Sequence, residues 1–109
     1  MGLGISKWDV VLVNFDPTMG KEIKKTRPAL VVSPNEINEY WSPIVVIPMT
    51  SKIKDLGFRT LITFQSIQGQ VAIDQIRAVD RVRIWKKVGN LKEEFRQKVQ
   101  TDIDLFFAE

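Results

Sequence analysis

Apolar runs in this chain are short, and each is stopped by a proline, a glycine or a polar turn. Trp8 to Phe15 ends at Asp16-Pro17, Ala29 to Val32 at Ser33-Pro34, and Ile44 to Ile47 at Pro48-Met49-Thr50. Runs of that length, rich in β-branched residues, predict strands. The first sets Val11, Val13 and Phe15 on one face and Trp8, Val10 and Leu12 on the other, as a strand buried on both faces does. Met19 to Thr26 is polar, contains Gly20 and lacks a period, which predicts a loop. Pro28 disfavours helix at Arg27, and Ala29 to Val32 resumes as a second strand. Ser33-Pro34-Asn35-Glu36 reads as a capping box that opens a short helix through about Tyr40.

Ile44 to Ile47 is the third strand. A polar loop, Ser51 to Gly57, leads to a fourth at Phe58 to Phe64. Gln65 to Gln70, with Gly69, reads as a turn, Val71 to Val79 as a long strand, and Val82 to Trp85 as a shorter one. The last segment differs. Asn90 caps, Glu93 completes the box, and Phe95, Val99, Ile103 and Phe106 recur at helical spacing, with Lys92, Arg96, Lys98 and Asp102 largely on the wet side. Short strands followed by one amphipathic helix predict a mainly β fold with α, a partly open small barrel of the SH3-like kind, as one domain over residues 1–109.

A chain of 109 residues can hold one core, to which a second copy would add burial. It has no cysteine and no histidine, which excludes disulfides, thiolate metal sites, zinc hydrolysis and any His-based triad. Asp16, Glu22, Asp55, Asp74 and Asp80 are scattered among lysines and arginines, which argues against a two-metal nuclease. No metal or cofactor is expected. No apolar run is long enough to span a bilayer and no signal segment opens the chain, so a cytoplasmic protein is the default. Met1-Gly2-Leu3-Gly4-Ile5-Ser6 matches the myristoylation consensus, a pattern chance often supplies, and the plain reading is an untethered tail.

The net charge of +3 is unevenly spread. Lys21, Lys24, Lys25 and Arg27 face only Glu22 in one cluster, and Arg77, Arg81, Arg83, Lys86 and Lys87 face only Asp80 in another. Such clusters suit a polyanion, whose condensed counterions are released on contact, and equally suit a solvated surface. Arg27 enters a buried strand beside Pro28, where a guanidinium can stabilise the pentacovalent phosphate of RNA cleavage; the ordinary alternative is an ion pair with Glu22 or Asp74. Thr50 and Ser51 directly follow a buried strand and can aim hydroxyl and N–H groups at a ligand, or serve as turn residues.

Asp74 interrupts an apolar strand, where it can orient Arg27 or act as a base if burial raises its pKa. Gln75 can bond backbone or a nucleobase edge, and Glu22 can take the ribose hydroxyl proton or merely temper the lysines. Trp41, between Tyr40 and Ser42-Pro43, is the aromatic expected to be exposed for base stacking, whereas Phe15 and Trp85 are expected in the core.

Phe15-Asp16-Pro17-Thr18, Gly20-Lys21-Glu22, Arg27-Pro28-Ala29-Leu30-Val31-Val32-Ser33, Pro48-Met49-Thr50-Ser51 and Asp74-Gln75-Ile76-Arg77 together resemble the MazF/PemK (Kid) family of toxin endoribonucleases, over roughly Lys7 to Asp80. The resemblance implies a homodimeric, metal-independent enzyme of a type II toxin–antitoxin system. It would cut single-stranded RNA to 2′,3′-cyclic phosphate and 5′-hydroxyl ends and be neutralised by a MazE-like antitoxin with an acidic C-terminal segment. It also implies that Arg27 and Thr50 match the family's catalytic arginine and threonine, and Asp74 an acidic residue of its PemK/Kid branch. That branch has an arginine two residues before the aspartate, where this chain has Ala72, and a histidine beside the loop glutamate, where it has Lys21. A scheme on Arg27 and Thr50, with Glu22 or Asp74 assisting and Lys21, Lys24, Lys25, Ser51, Gln75, Arg77 and Trp41 binding RNA, is therefore the expectation. The rivals are a CcdB-like gyrase poison, disfavoured because the chain ends Leu105-Phe106-Phe107-Ala108-Glu109 where CcdB-like toxins have tryptophan-glycine-isoleucine, and a non-catalytic RNA-binding barrel.

Overall fold

The computed structural model describes residues 4–15, 26–40 and 43–108. Strands β1 (Asp9–Asn14), β2 (Thr26–Val31), β3 (Pro43–Thr50), β4 (Arg59–Phe64), β5 (Ile67–Ala72), β6 (Arg77–Asp80) and β7 (Ile84–Asn90) form one antiparallel sheet in the order β4-β5-β3-β2-β1-β7, with β6 also on β3. Helix α1 (Asn35–Tyr40) links β2 to β3, and α2 (Glu93–Phe107) follows β7. The sheet curls until its end strands meet: Gln65 Nε2 donates to the Val88 carbonyl at 3.0 Å, closing the gap between the β4–β5 turn and β7. The barrel is thus mainly β, partly open, and carries one terminal helix.

Alternation along β1 sorts two cores. Val11 and Val13 join Val31, Ile44, Val46 and Ile84 on one side, with Phe15 packed against them; Val10 joins Leu30, Ile47, Ile62 and Val71 on the other. The second core is covered by α2, which buries Val99 and packs Phe95, Ile103 and Phe106 against it. Phe106 meets Phe58 edge-on, with centroids 5.0 Å apart, fastening the helix to the start of β4.

β3 organises the site. Its first half pairs β6 from Pro43↔Asp80 to Val46↔Arg77, and its end pairs β5 at Met49↔Val71 and Thr50↔Gln70, while its other edge pairs β2. The single strand expected over Val71 to Val79 is therefore two strands separated by a 3-10 turn, Ile73–Gln75. Similarly, Val82 falls in a second 3-10 turn, Arg81–Arg83, and β7 is longer than the strand expected there.

Two further boundaries differ from expectation. The broad turn at Gln65 to Gln70 is only Gln65-Ser66, both at positive φ, and Gly69 lies inside β5. A Cβ there would stand 2.7 Å from the Thr50 carbonyl oxygen, so glycine lets β5 approach β3. Neither capping box forms. Ser33 Oγ donates to Asn38 Oδ1 at 2.5 Å and accepts from Val45 N at 3.1 Å, tying α1 to β3. Asn90 ends β7, and α2 starts from Lys92 with no side-chain cap, Glu93 and Glu94 favouring its positive end instead. Asp102 is not on the wet side: its side chain is 13% exposed and accepts from Thr60 Oγ1 at 2.6 Å.

Candidate RNA-cleaving site

The β2–β3 register, Ala29↔Pro48 to Val31↔Val46, continued by two residues sets Arg27 across from Thr50. Both line two neighbouring hollows. The larger, about 400 Å³, is walled mainly by apolar side chains, including Leu12, Met49, Ile62 and Phe64, with Ser51 at its rim. The smaller, about 270 Å³, is cationic: Lys52, Lys54, Arg59 and Arg77 join Arg27, with Phe15 and Gln75, and among the described residues no carboxylate lines it.

Backbone geometry holds Thr50 in place. β5 presses on it through Gly69, and its Oγ1 accepts from the Lys52 N–H at 3.1 Å, which leaves the hydroxyl proton available to a ligand. The loop after Thr50 is tied down by Gln70, only 4% exposed: its Oε1 accepts from Lys54 N at 3.0 Å and its Nε2 donates to the Lys54 carbonyl at 2.7 Å. Lys52 and Lys54 thus reach the hollow on a fastened segment.

Asp74 departs most from the sequence reading. It does not orient Arg27; its carboxylate is bound by Arg59, with Nε to Oδ1 at 2.7 Å and Nη2 to Oδ2 at 3.0 Å. The hydrogen bonds from Arg59 hold the Asp74 carboxyl below the ordinary aspartate range, outweighing the opposing effect of burial, with smaller help from the charges of Arg59 and Lys54. The same pairing raises Arg59. A carboxylate with a lowered pKa and both oxygens engaged is a poor general base, which corrects the expectation that burial would raise it.

Other expected residues separate. Arg77 and Gln75 line the cationic hollow, and the Arg77 guanidinium lies 4.8 Å from the centroid of the Phe15 ring. The rest of the second basic cluster is largely structural: Arg81 donates to the Asn38 carbonyl, Arg83 to that of Asn14 at 3.2 Å, and Lys87 lies 3.3 Å from Asp9. Trp85, expected in the core, is 67% exposed, while Phe15 packs on the core as expected. Lys21, Glu22, Lys24, Lys25 and Trp41 lie outside the described residues.

Sequence reasoning missed Arg59, Lys52 and Lys54. The lysines sit in a segment that reads as a plain loop, and Arg59 becomes notable only through the pairing Arg59↔Ala72, which brings β4 to the turn carrying Asp74. Among the described residues, no three acidic side chains converge as a metal site, and no helix is long and apolar enough to cross a membrane.

Comparison with known proteins gives the family. Residues 6–107 match the family model for the PemK-like, MazF-like toxin of type II toxin-antitoxin system. The chain is 31% identical over 101 residues to the endoribonuclease toxin MazF of Escherichia coli K12, covering 92% of this chain and 91% of that protein. It resembles the crystal structure of MazF from Deinococcus radiodurans with a TM-score of 0.79 at 26% identity, covering 94% of each chain. It likewise resembles a chain of a MazE-MazF crystal structure from that organism, with a TM-score of 0.79 at 25% identity and 94% coverage of each. The strand order and a match over nearly the whole sequence converge: the chain belongs to the family of PemK-like, MazF-like toxins of type II toxin–antitoxin systems.

Proposed function

We propose that this protein is the toxin of a type II toxin–antitoxin pair and an endoribonuclease that cuts single-stranded RNA, without a metal, at Arg27 and Thr50. The ribose 2′-hydroxyl gives up its proton to a base as its oxygen attacks the adjacent phosphorus, the bond to the 5′-oxygen breaks, that oxygen takes up a proton from solvent, and the products are a 2′,3′-cyclic phosphate and a 5′-hydroxyl. Arg27 offsets the charge that builds on the phosphate oxygens, and the Thr50 hydroxyl donates to one of them. The observation that carries this reading is that Arg27 and Thr50 both line an apolar hollow and a neighbouring cationic one whose lining, among the described residues, holds no carboxylate. The first hollow offers apolar walls to an unstacked base, the second positive charge to the phosphates on either side.

Ser51, Gln75 and Arg77, which line the two hollows, serve as RNA contacts in this reading, together with Lys21, Lys24, Lys25 and Trp41. Glu22 is the carboxylate left for the base, since Asp74 is bound by Arg59. An antitoxin with an acidic segment suits the same cationic hollow, and a MazE-MazF structure in a similar protein supports that partner class. The working unit is a homodimer in the cytoplasm, where its RNA substrate is found.

The test is incubation with single-stranded RNA in excess chelator. Cleavage giving cyclic-phosphate ends, abolished by Arg27→Ala, is expected; binding without cleavage overturns the nuclease reading, and inhibition of gyrase without cleavage replaces it.

A further inference from the structure

The geometry points to Arg59 as a second phosphate-contacting residue of the cationic hollow, with Asp74 as the positioning residue that locks its guanidinium from behind. A guanidinium has five N–H donors. Here Nε and Nη2 each give a hydrogen bond to Asp74, at 2.7 and 3.0 Å, and among the described residues Nη1 donates to none. The Arg59 side chain is only 7% exposed, yet Arg59 lines the hollow that Arg27 and Thr50 line; Asp74, on the far side of the pair, does not.

The arrangement has a directional logic. Two bonds on one edge of a planar fork fix its rotation, so the opposite edge is presented in one orientation and loses little entropy when an anion binds. Lys52 and Lys54 supply charge to the same hollow as point donors; Arg59 supplies a shaped one. Its room comes from the facing strand, where the directly paired residue is Ala72. Ala72 is also the position two before Asp74, so the guanidinium beside this aspartate arrives from β4 instead of from Asp74's own segment.

Such a residue serves the phosphate next to the one being cut, because Arg27 and Thr50 flank the reacting group. Its catalytic readout rests on the RNA-cleaving reading above, whereas its binding readout does not. The experiment therefore measures both. Binding of a single-stranded DNA oligonucleotide, which lacks the attacking hydroxyl, is followed against salt, and cleavage of single-stranded RNA gives kcat/KM. The proteins are wild type, Arg59→Met, Arg59→Lys, Asp74→Asn and the double variant Arg59→Met with Asp74→Asn, with folding checked by circular dichroism.

Arg59→Met is expected to reduce the slope of log affinity on log salt by about 0.7, the value for one phosphate contact on a single strand, and to lower kcat/KM by about tenfold or more. Asp74→Asn is expected to keep the slope and lower kcat/KM several-fold. Added to Arg59→Met it should cost nothing further, because a positioning residue has no effect without the group it positions. A folded Arg59→Met protein with the wild-type slope overturns the inference. Should that variant not fold, Arg59→Lys decides by keeping the slope while losing several-fold in kcat/KM, and unchanged kcat/KM overturns the inference. A wild-type protein that binds DNA with the Arg59-dependent slope but cuts no RNA sinks the nuclease reading and leaves Arg59 as a phosphate contact.

Discussion

Thr50 illustrates how one hydroxyl can be both anchored and available. It accepts the Lys52 N–H, which fixes its rotamer, and still has a proton to donate. Removing a donor used only in the transition state lowers turnover more than affinity. Thr50→Ala is therefore expected to lower kcat by about 10²-fold, the magnitude typical of an oxyanion donor, while affinity for an uncleavable DNA strand changes less than about twofold; equal losses count against the role. Asp74 gives the complementary case, a charge whose value is positional. Its folded-state pKa lies below the ordinary 3.8, so its contribution to stability is full above that pH and is lost as pH falls through the folded value. The Tm gap between wild type and Asp74→Asn is expected to be constant from neutral pH down to about pH 4 and to close below it, as scanning calorimetry can check. A gap independent of pH down to pH 2 would mean that the carboxylate charge contributes nothing. Arg27 and Thr50 were legible in the sequence because each borders an apolar run beside a proline or a turn. Arg59 was not, because its partner lies fifteen residues on and only strand register brings the two together.

Among the elements, the strands and α2 were readable from period, and the misread boundaries share a cause. In Val71 to Val79 the inward residues Val71 and Ile73 alternate, but Ile73, Ile76 and Val79 are spaced by three, which a straight strand cannot bury on one face. The 3-10 turn absorbs that change of period and sets Asp74 and Gln75 outward beside β3. Gly69 was read as turn chemistry, yet its role is close approach, which no single strand reveals. Gly69→Ala is expected to destabilise by about 1–3 kcal/mol, the range for overpacking a tight contact, measured by urea unfolding. RNA cleavage should fall with it, because the displaced atom is the Thr50 carbonyl. A Gly69→Ala protein of wild-type stability would show that β5 and β3 separate freely. The capping boxes failed for a different reason: Ser33 had a stronger use in bridging Asn38 and Val45, a tertiary demand that local sequence does not show.

At the scale of the molecule, the long-range pairings fall in an order that matters when the chain is made. β3 stands mid-sequence and takes partners from β2 before it and from β5 and β6 after it, while β1 is completed only by β7, which ends at Asn90. A chain emerging N-terminus first therefore carries Arg27 on β2, already able to pair with β1, and Thr50 on β3 well before β5 pairs with Thr50 and β7 completes β1, since non-local pairing must wait for its last participant. A chain ending at Phe64 is expected to show no cooperative thermal transition and no RNA cleavage, by circular dichroism and an end-labelled RNA assay. Activity from that fragment would show that the hollows do not need β5 and β6. Pairing order thus sets a delay: cleavage of RNA is expected only after β5, β6 and β7 have been made and have closed on β3 and β1.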